Sequence, residues 1–543
     1  MTKKKTTYSI GIVLLALLIG LLAGIMSAPR LASNNKESAF GESLLSQRVG
    51  TAMELIDNFY VDEVDYDSVT GRMMNAMLST LDPHSYYLMP VDFEKEEVDM
   101  RGRFEGIGVT LYYMGDSVYA SHVMPGSPAA ASGLHTGDLI LRVDTTLVSG
   151  SGLTRQQSEV VDLIRGPRYS TVCLTVMRKG LAKPKAFKIR RDVIHLSTVP
   201  AIVMLDKKIG YVRITRFGDN TAGEFHAALL QLLGEGMRHL VLDLRGNGGG
   251  SLASAVGVCN ELLPKGDLIV YTQGAHDRRR NTYATKGGLF EEGGLTVLID
   301  EGSASASEIV AGAVQDNDRG TIIGHRSFGK GLVQHQFEMT DGSALLLTIA
   351  RYYTPSGRCI QRPYDKGSDE YYREYVTRII QNYSSADSIL DAEYDTTQSF
   401  LTKKGRKVYG GGGIRPDILL PYFTDTNLVY YNRLVGNNVL GDVAHRQLYE
   451  QYDLLMGRYP TVELFVKGYQ VDEATWREIL ALGDQRHIAR SESGISKYGK
   501  DIRNRYKAIL AMSLYGENAY YTIAQTGDIE LQRALREVRS FSK

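Results

Sequence analysis

The sequence predicts a multidomain α/β and α+β protein, with a small β-rich module and an α/β domain set between helical ends. Three observations carry that prediction. The chain has 543 residues, too many for one hydrophobic core and enough for two to four domains. Between about residues 98 and 190, short apolar runs alternate with glycine and proline turns, the pattern of strands. From about 197 to 365, strand-like and helix-like stretches take turns, the mark of an α/β domain.

The elements follow in order. Lys3, Lys4 and Lys5 precede an apolar run, Ile10–Met26, with small residues Ala23, Gly24, Ser27 and Ala28 near its end. A charged start followed by such a run is an export signal. Residues 1–30 are therefore expected to be a signal peptide or an N-terminal membrane anchor, with the positive side cytoplasmic and the rest of the chain exported. In a two-membrane cell that means the periplasm, with residues 10–26 the only contact with the inner membrane. Ser33–Ser38 reads as a polar linker. Leu45, Val49, Met53, Ile56 and Tyr60, then Val69, Met73, Met77 and Leu81, recur every three or four residues. They predict a helical region over 40–90, stopped by proline in Leu81-Asp82-Pro83-His84-Ser85.

The β-rich module, 98–190, has expected strands at Ile107–Tyr112, Ser117–Val123, Leu139–Val143, Thr171–Met177 and Lys185–Arg191, with a helix over Ser158–Ile164. Pro125–Leu134 reads as a turn, a short helix and a glycine cap. In the α/β domain, 195–365, strands are expected at Gly210–Ile214, Leu240–Leu244 and Leu295–Asp300, and helices at Ala222–Leu233 and Ser307–Gln315. The segment 366–422 is a polar insertion, to about 406, followed by a return to ordered chain through Gly410–Gly413 and Ile414-Arg415-Pro416-Asp417. Residues 423–543 read mostly helical, with Asp472 and Asp528 as N-caps. Without a chemical motif there, the default role is scaffold or assembly.

Composition excludes several function classes. Lys+Arg and Asp+Glu are 62 each, so no basic surplus points to nucleic acid. Cys173, Cys259 and Cys359 are far apart and form no CxxC pair, which argues against a zinc site or a disulfide framework and leaves three small, mostly buried side chains. There is no HExxH pattern either, and neither a metal nor a cofactor is expected.

The strongest chemical constellation lies between Leu295 and Gln334. A buried strand runs into Ser303-Ala304-Ser305-Ala306-Ser307-Glu308 and then a helix. A serine at such a turn is exposed, and the free backbone N–H groups of the helix start can stabilise an oxyanion. Taken alone, the serine string could be a flexible loop with an N-cap. Lys330, 25 residues after Ser305, stands between Gly329 and Gly331 among apolar neighbours. Burial lowers a lysine pKa and can make the amine a general base for a serine hydroxyl. Gln334 could hydrogen-bond that lysine and hold it. The third element is Val241–Leu244 running into Arg245-Gly246-Asn247-Gly248-Gly249-Gly250. It lacks both the Gly-Lys-Ser/Thr ending of a P-loop and GxGxxG spacing. A second oxyanion donor, or a surface for an extended substrate backbone, fits better, with Asp243, Arg245 and Asn247 as polar anchors of the loop. His325 and His335 have no motif around them and read as structural.

In this order, the segments Leu81–Ser85, Phe104-Glu105-Gly106-Ile107-Gly108-Val109, the Asp243 glycine loop, Ser303–Glu308, Phe328-Gly329-Lys330-Gly331 and Ile414–Asp417 resemble the carboxy-terminal processing peptidases, or tail-specific proteases. The resemblance covers roughly residues 42–420. It implies a PDZ domain over 98–190, a protease core of the crotonase-like ββα-spiral type, and a serine endopeptidase working through a Ser-Lys dyad and an acyl-enzyme. By motif position Ser305 is the implied nucleophile, with Ser303 and Ser307 as alternatives and Ser307 the better helix cap. Lys330 is the implied base and Gln334 its positioner. Ala306 N–H and a glycine N–H of 248–250, taken as Gly250, form the implied oxyanion hole. Gly106, Ile107 and Gly108 would capture a substrate carboxylate, with Ile107 lining an apolar pocket. The implied partners are protein substrates with unstructured apolar C-termini; an adaptor protein and self-association through the C-terminal helices are further expectations. Two other readings stand beside this one: a non-catalytic PDZ scaffold or adaptor with a protease-like core, and an acyl-transfer enzyme, which would need neither the PDZ segment nor the export signal.

Overall fold

The computed structural model describes residues 44–150, 152–153, 156–285, 287–384, 398–420 and 425–540. The export segment Ile10–Met26 and the linker Ser33–Ser38 lie outside the described residues. The chain divides into two compact units, Met1–Met73 and Met74–Lys543. In the first, the expected helical periodicity is realised as the helix Leu44–Phe59. Among the described residues no helix is long and apolar enough to cross a membrane.

The second unit is organised by a six-stranded sheet in the order Ala201–Met204, Ile209–Arg213, His239–Asp243, Gly294–Ile299, Thr321–Gly324, Ile418–Leu419. The first pair is antiparallel and the rest are parallel. Successive side chains on a strand point to opposite faces, and here both faces are covered. Leu240, Leu242, Val297, Ile299 and Ile322 join one apolar cluster with the helices Thr221–Gly234, Leu252–Leu262 and Ala306–Asp316. Val241, Leu298 and Ile323 point the other way, onto Leu531, Ala534, Leu535 and Val538 of the helix Ile529–Ser540. Burial on two sides explains why Leu240-Val241-Leu242 reads as a short apolar run before the buried Asp243. It also makes Ile529–Ser540, expected in an assembly region, a structural layer of the α/β core.

A second, antiparallel sheet lies beside it, in the order Tyr86–Leu88, Ala344–Tyr353, Leu268–Gln273, Arg280–Tyr283, with Leu332–Glu338 hairpinned onto Ala344–Tyr353. The sequence reading assigned none of these strands. Leu332–Glu338 is exposed from His335 onward, so it carries no long apolar pattern. The polar segment after residue 366 is also more ordered than expected. It contains the helix Ser368–Ser384, whose inward stripe is Tyr371 and Tyr375 instead of aliphatic residues.

The β-rich module forms one sheet in the order Val109–Met114, Ser117–Val123, Leu139–Val143, Thr171–Met177, Lys185–Arg190, with the helix Gln157–Ile164. Its first strand starts two residues later than expected, because Gly108 turns the chain at φ 77°. That strand is the sheet edge, and Tyr112 on it faces the C-terminal helices. The Tyr112 ring stacks on His445 at 3.5 Å, its hydroxyl donates to Asp442, and Asn438 Nδ2 donates to it at 2.7 Å. The helices between Leu428 and Ala524 have a core of their own. Asp472 caps one of them, accepting from Thr475 N–H at 2.8 Å.

Candidate active site

The strand Gly294–Ile299 delivers the serine string to the start of the helix Ala306–Asp316. The three serines have different fates. Ser303 is fully buried, its hydroxyl donating to the Leu244 carbonyl at 2.8 Å. Ser307 is fully buried too, and its hydroxyl donates to the Asn247 carbonyl at 2.9 Å. Only Ser305 is partly open to solvent. It has φ 54° and ψ −112°, a sparsely populated conformation of the kind retained at functional turns. Ser305 also occupies the N-cap position. The expectation that Ser307 caps the helix is therefore corrected: the helix starts one residue earlier, and Ser307 sits in its first turn, tying the helix to the glycine loop.

Lys330 lies on the loop before the strand Leu332–Glu338. Its amine donates to Gln334 Oε1 at 2.5 Å. Gln334 stands at a register shift of the strand pair, between Val333 and Gln334, and a bulge of that kind re-aims a side chain. The other end of the amide, Nε2, donates to the His84 carbonyl. This fixes which amide atom faces the lysine. The His84 loop is itself braced: Asp82 Oδ1 accepts from His84 N–H and Ser85 N–H, both at 2.8 Å, and Asp82 Oδ2 accepts from the Ser85 hydroxyl at 2.6 Å. Burial pushes the Lys330 amine below its ordinary value, against the opposing pull of Asp82, Glu308 and Glu96. The buried His84 imidazole is pushed down to about 3 by desolvation and then by Lys330.

Two side chains join the serine and lysine segments. Glu308 is fully buried. It accepts from Ser305 N–H at 2.8 Å, Lys330 N–H at 2.9 Å, Gly329 N–H at 2.8 Å and the Ser327 hydroxyl at 2.6 Å. Desolvation pushes its carboxyl up to about 7 in spite of these donors. The Tyr352 hydroxyl faces the Ser305 carbonyl at 3.1 Å and donates to the Lys330 carbonyl. Phe328, Arg362, Tyr371 and Tyr375 wall the lysine loop, with the Arg362 guanidinium 4.0 Å from the Tyr371 ring centroid.

The glycine loop lies against the serine. A Cβ on Gly249 would fall 2.7 Å from Ser305 Cβ, and the residue holds φ 105°. Asn247 is fully buried: its Nδ2 donates to the Ile214 carbonyl at 2.9 Å and its Oδ1 accepts from Gly249 N–H at 2.9 Å. Asp243 accepts from Tyr211, Arg213 and Arg245. Burial alone would raise its carboxyl, but the two guanidiniums hold it at about 2. Asp243, Arg245 and Asn247 thus anchor the loop. The N–H groups of Ala306 and Gly250 donate to no acceptor among the described residues. His325 is bonded to Glu530 and His335 packs on Phe337.

In the β-rich module, Gly106 closes the strand Arg103–Gly106 and Gly108 turns the chain beside Ser127, where a Cβ would fall 2.3 Å from Ser127 Cβ. Gly106 and Gly108 both precede the edge strand Val109–Met114. Ile107 does not line an open pocket. It is 1 % exposed and belongs to the module's core with Val143, Val160 and Ile189.

Comparison with known proteins decides the family. Residues 208–366 match the model of peptidase family S41, 97–177 match the PDZ domain, and 430–516 match a family of unknown function, DUF8443. The carboxy-terminal-processing protease of Bartonella bacilliformis is 38% identical over 346 residues, covering 62% of this chain and 76% of that protein. The chain belongs to the carboxy-terminal-processing proteases. The carboxyl-terminal-processing protease of Synechocystis is 33% identical over 341 residues, covering 61% of this chain and 77% of the other. Among solved structures, a photosystem II D1 C-terminal processing protease is 26% identical with a TM-score of 0.34, covering 70% of this chain and 88% of its own.

As a protease of this family with a PDZ domain, the chain has site residues that sequence reasoning did not single out. Glu308 carried a signal, the Ser-x-x-Glu spacing of a capping box, but a local motif says nothing of its bonds to the lysine loop. Tyr352 carried none. His84 and Asp82 stood in a recognised segment without a role, since their partner Gln334 is 250 residues away.

Proposed function

We propose that this protease is a serine endopeptidase in which Ser305 is the nucleophile and Lys330 the general base. The reading rests chiefly on one observation: Ser305 and Lys330, both half-buried, donate their backbone N–H groups to the same carboxyl, Glu308, while Gln334 holds the amine. Ser305 Oγ attacks the peptide carbonyl carbon and its proton passes to the neutral Lys330 amine. The oxyanion is received by the N–H groups of Ala306 and Gly250. The C–N bond then breaks, and Lys330 gives its proton to the departing amine. Water attacks the acyl-enzyme, Lys330 takes the water proton, and Ser305 Oγ leaves re-protonated. Substrates are unstructured proteins with apolar C-termini, captured by strand addition at Val109–Met114 with the carboxylate at Gly106–Gly108. The protein works after export, in the periplasm, with residues 10–26 as signal or anchor, and an adaptor can present substrate.

The test is cleavage of an unstructured protein with an apolar C-terminus by wild type, Ser305→Ala and Lys330→Ala, with binding of the C-terminal peptide measured in parallel. Both variants are expected to bind and not to cut. Undiminished cleavage by Lys330→Ala would remove the proposed base. Binding without cleavage by wild type would favour the scaffold reading.

A further inference from the structure

Arg245 opens the glycine loop, and its guanidinium is nearly closed off from solvent, with a side-chain exposure of 13%. All five of its N–H groups are used. Nε donates to Asp243 Oδ1 at 3.0 Å and Nη2 to Asp243 Oδ2 at 2.7 Å. The remaining three go to the start of the helix Ile529–Ser540: Nη2 to Asp528 Oδ2 at 2.7 Å, Nη1 to Asp528 Oδ1 at 3.1 Å and Nη1 to Glu530 Oε2 at 2.7 Å. Asp528 and Glu530 lie outside the stretches matched by the peptidase, PDZ and unknown-function families.

We propose that Asp528 and Glu530 are positioning residues for the peptidase reaction: through Arg245 they hold Gly246–Gly250 against Ser305, and the site is complete only with the helix Ile529–Ser540 docked. The inference rests on the serine-protease reading above. Charge makes the case first. Asp243 already serves two guanidiniums, Arg213 and Arg245. Without the two helix carboxylates, two buried cations would share one anion, an arrangement that a protein interior does not tolerate without movement. The movable part is the loop, since Arg213 is on a strand. Geometry makes the case second. The loop lies so close to Ser305 that a Cβ on Gly249 would fall 2.7 Å from Ser305 Cβ, so a displaced Arg245 is felt at Ser305. Glu530 has a second bond, from Oε1 to His325 Nε2 at 3.0 Å, and His325 opens the segment that leads to Lys330. One helix start therefore touches both chain segments that carry the candidate machinery. Docking is enforced by burial of Leu531, Ala534, Leu535 and Val538 on the sheet, and Asp528 also caps the helix, accepting from Leu531 N–H at 2.9 Å.

The variants are Asp528→Asn and Glu530→Gln, singly and together, in the full-length protein. Both are isosteric, and asparagine still caps a helix. The double variant is expected to keep its helix content and its affinity for a C-terminal peptide, with KM unchanged. Its kcat, and its rate of labelling by a fluorophosphonate at Ser305, should fall by about 10²-fold, the scale of a small misplacement of catalytic groups. A readout that a merely structural role would not move is non-additivity: Arg245→Gln should be as slow alone as in combination with the double variant. A folded double variant with wild-type kcat overturns the proposal, and so do losses that add to those of Arg245→Gln. If the double variant is unfolded, Glu530→Gln alone decides by the same two criteria. Failure of wild type to cut, or cleavage by Ser305→Ala, would instead sink the serine-protease reading itself.

Discussion

Two glycine-bearing loops of this protein are built on opposite plans. The loop Gly246–Gly250 is fixed by charge and amide bonds from every side: Asn247 bridges two backbone groups, Asp243 binds two arginines, and Asp300 accepts from Gly246 N–H at 2.8 Å. The loop Gly106–Gly108 is held by the apolar anchor of Ile107 and by carbonyl bonds to Met124 N–H and Ala129 N–H. A group that must meet a developing oxyanion needs its donors set in advance. A loop that receives the ends of varied chains works with a lighter frame, because its specificity comes from strand addition and pockets.

The comparison can be broken first at the catalytic loop. Gly249→Ala would drive a methyl into Ser305 and hold alanine at a left-handed φ. We expect kcat to fall by about 10²-fold or more with peptide binding unchanged, read from steady-state kinetics and a binding titration on the same sample. Asn247→Ala should follow. It leaves the Ile214 carbonyl and Gly249 N–H unpaired in a buried site, a loss of about 2 kcal/mol in unfolding free energy accompanied by lower kcat. The mirror experiment is Gly108→Ala, whose Cβ meets Ser127. It should weaken binding of a C-terminal peptide about tenfold, some 1.4 kcal/mol, and leave kcat on a short peptide with a blocked C-terminus at the wild-type value. Equal effects of Gly108→Ala on both measurements would erase the distinction between the loops.

A smaller effect sharpens the electrostatic side. As the proposed base, Lys330 would work only when neutral, so activity should rise through its titration, at a pH below that of an ordinary lysine because burial disfavours the charged amine. Asp82 favours the charged form. Asp82→Asn keeps an acceptor for the His84 loop and removes the charge, so the acid limb of the kcat/KM profile should move to lower pH. A move to higher pH would mean that Asp82 acts on another group. The smallest pH-dependent effect concerns Asp243. Its folded pKa, about 2, lies below the ordinary value of 3.8, so its contribution to stability is present above pH 3.8 and is lost as pH falls through about 2. Acid unfolding of Asp243→Asn should lack that component.

Much of the fold is legible where punctuation is local. Ser117–Val123, Leu139–Val143 and Thr171–Met177 have the expected ends because Gly115-Asp116 and Gly137-Asp138 mark their turns. The buried parallel strands are legible as apolar runs. Leu332–Glu338 is not, because most of its side chains face water, and the helix Ser368–Ser384 is not, because its packing stripe is aromatic and cationic. At the site, residue types and spacing marked Ser305, Lys330 and Gln334 as candidates. Their supports were hidden by distance along the chain: Arg245 and Asp528 are 283 residues apart, and nothing near either one names the other. Ile107 misled for a related reason. Its apolar side chain suits a pocket or a core equally well, and only its packing among Val143, Val160 and Ile189 decides between them.

The far face of the six-stranded sheet has a consequence for the order in which the protein matures. Val241, Leu298 and Ile323 stay bare of their helical cover until residues 529–540 have emerged from the ribosome. During that interval the nascent chain shows a greasy sheet face that invites chaperones, and Arg245 lacks two of its three carboxylates. On the positioning role proposed for Asp528 and Glu530, a protease assembled in this sequence completes its site last, when the final helix docks.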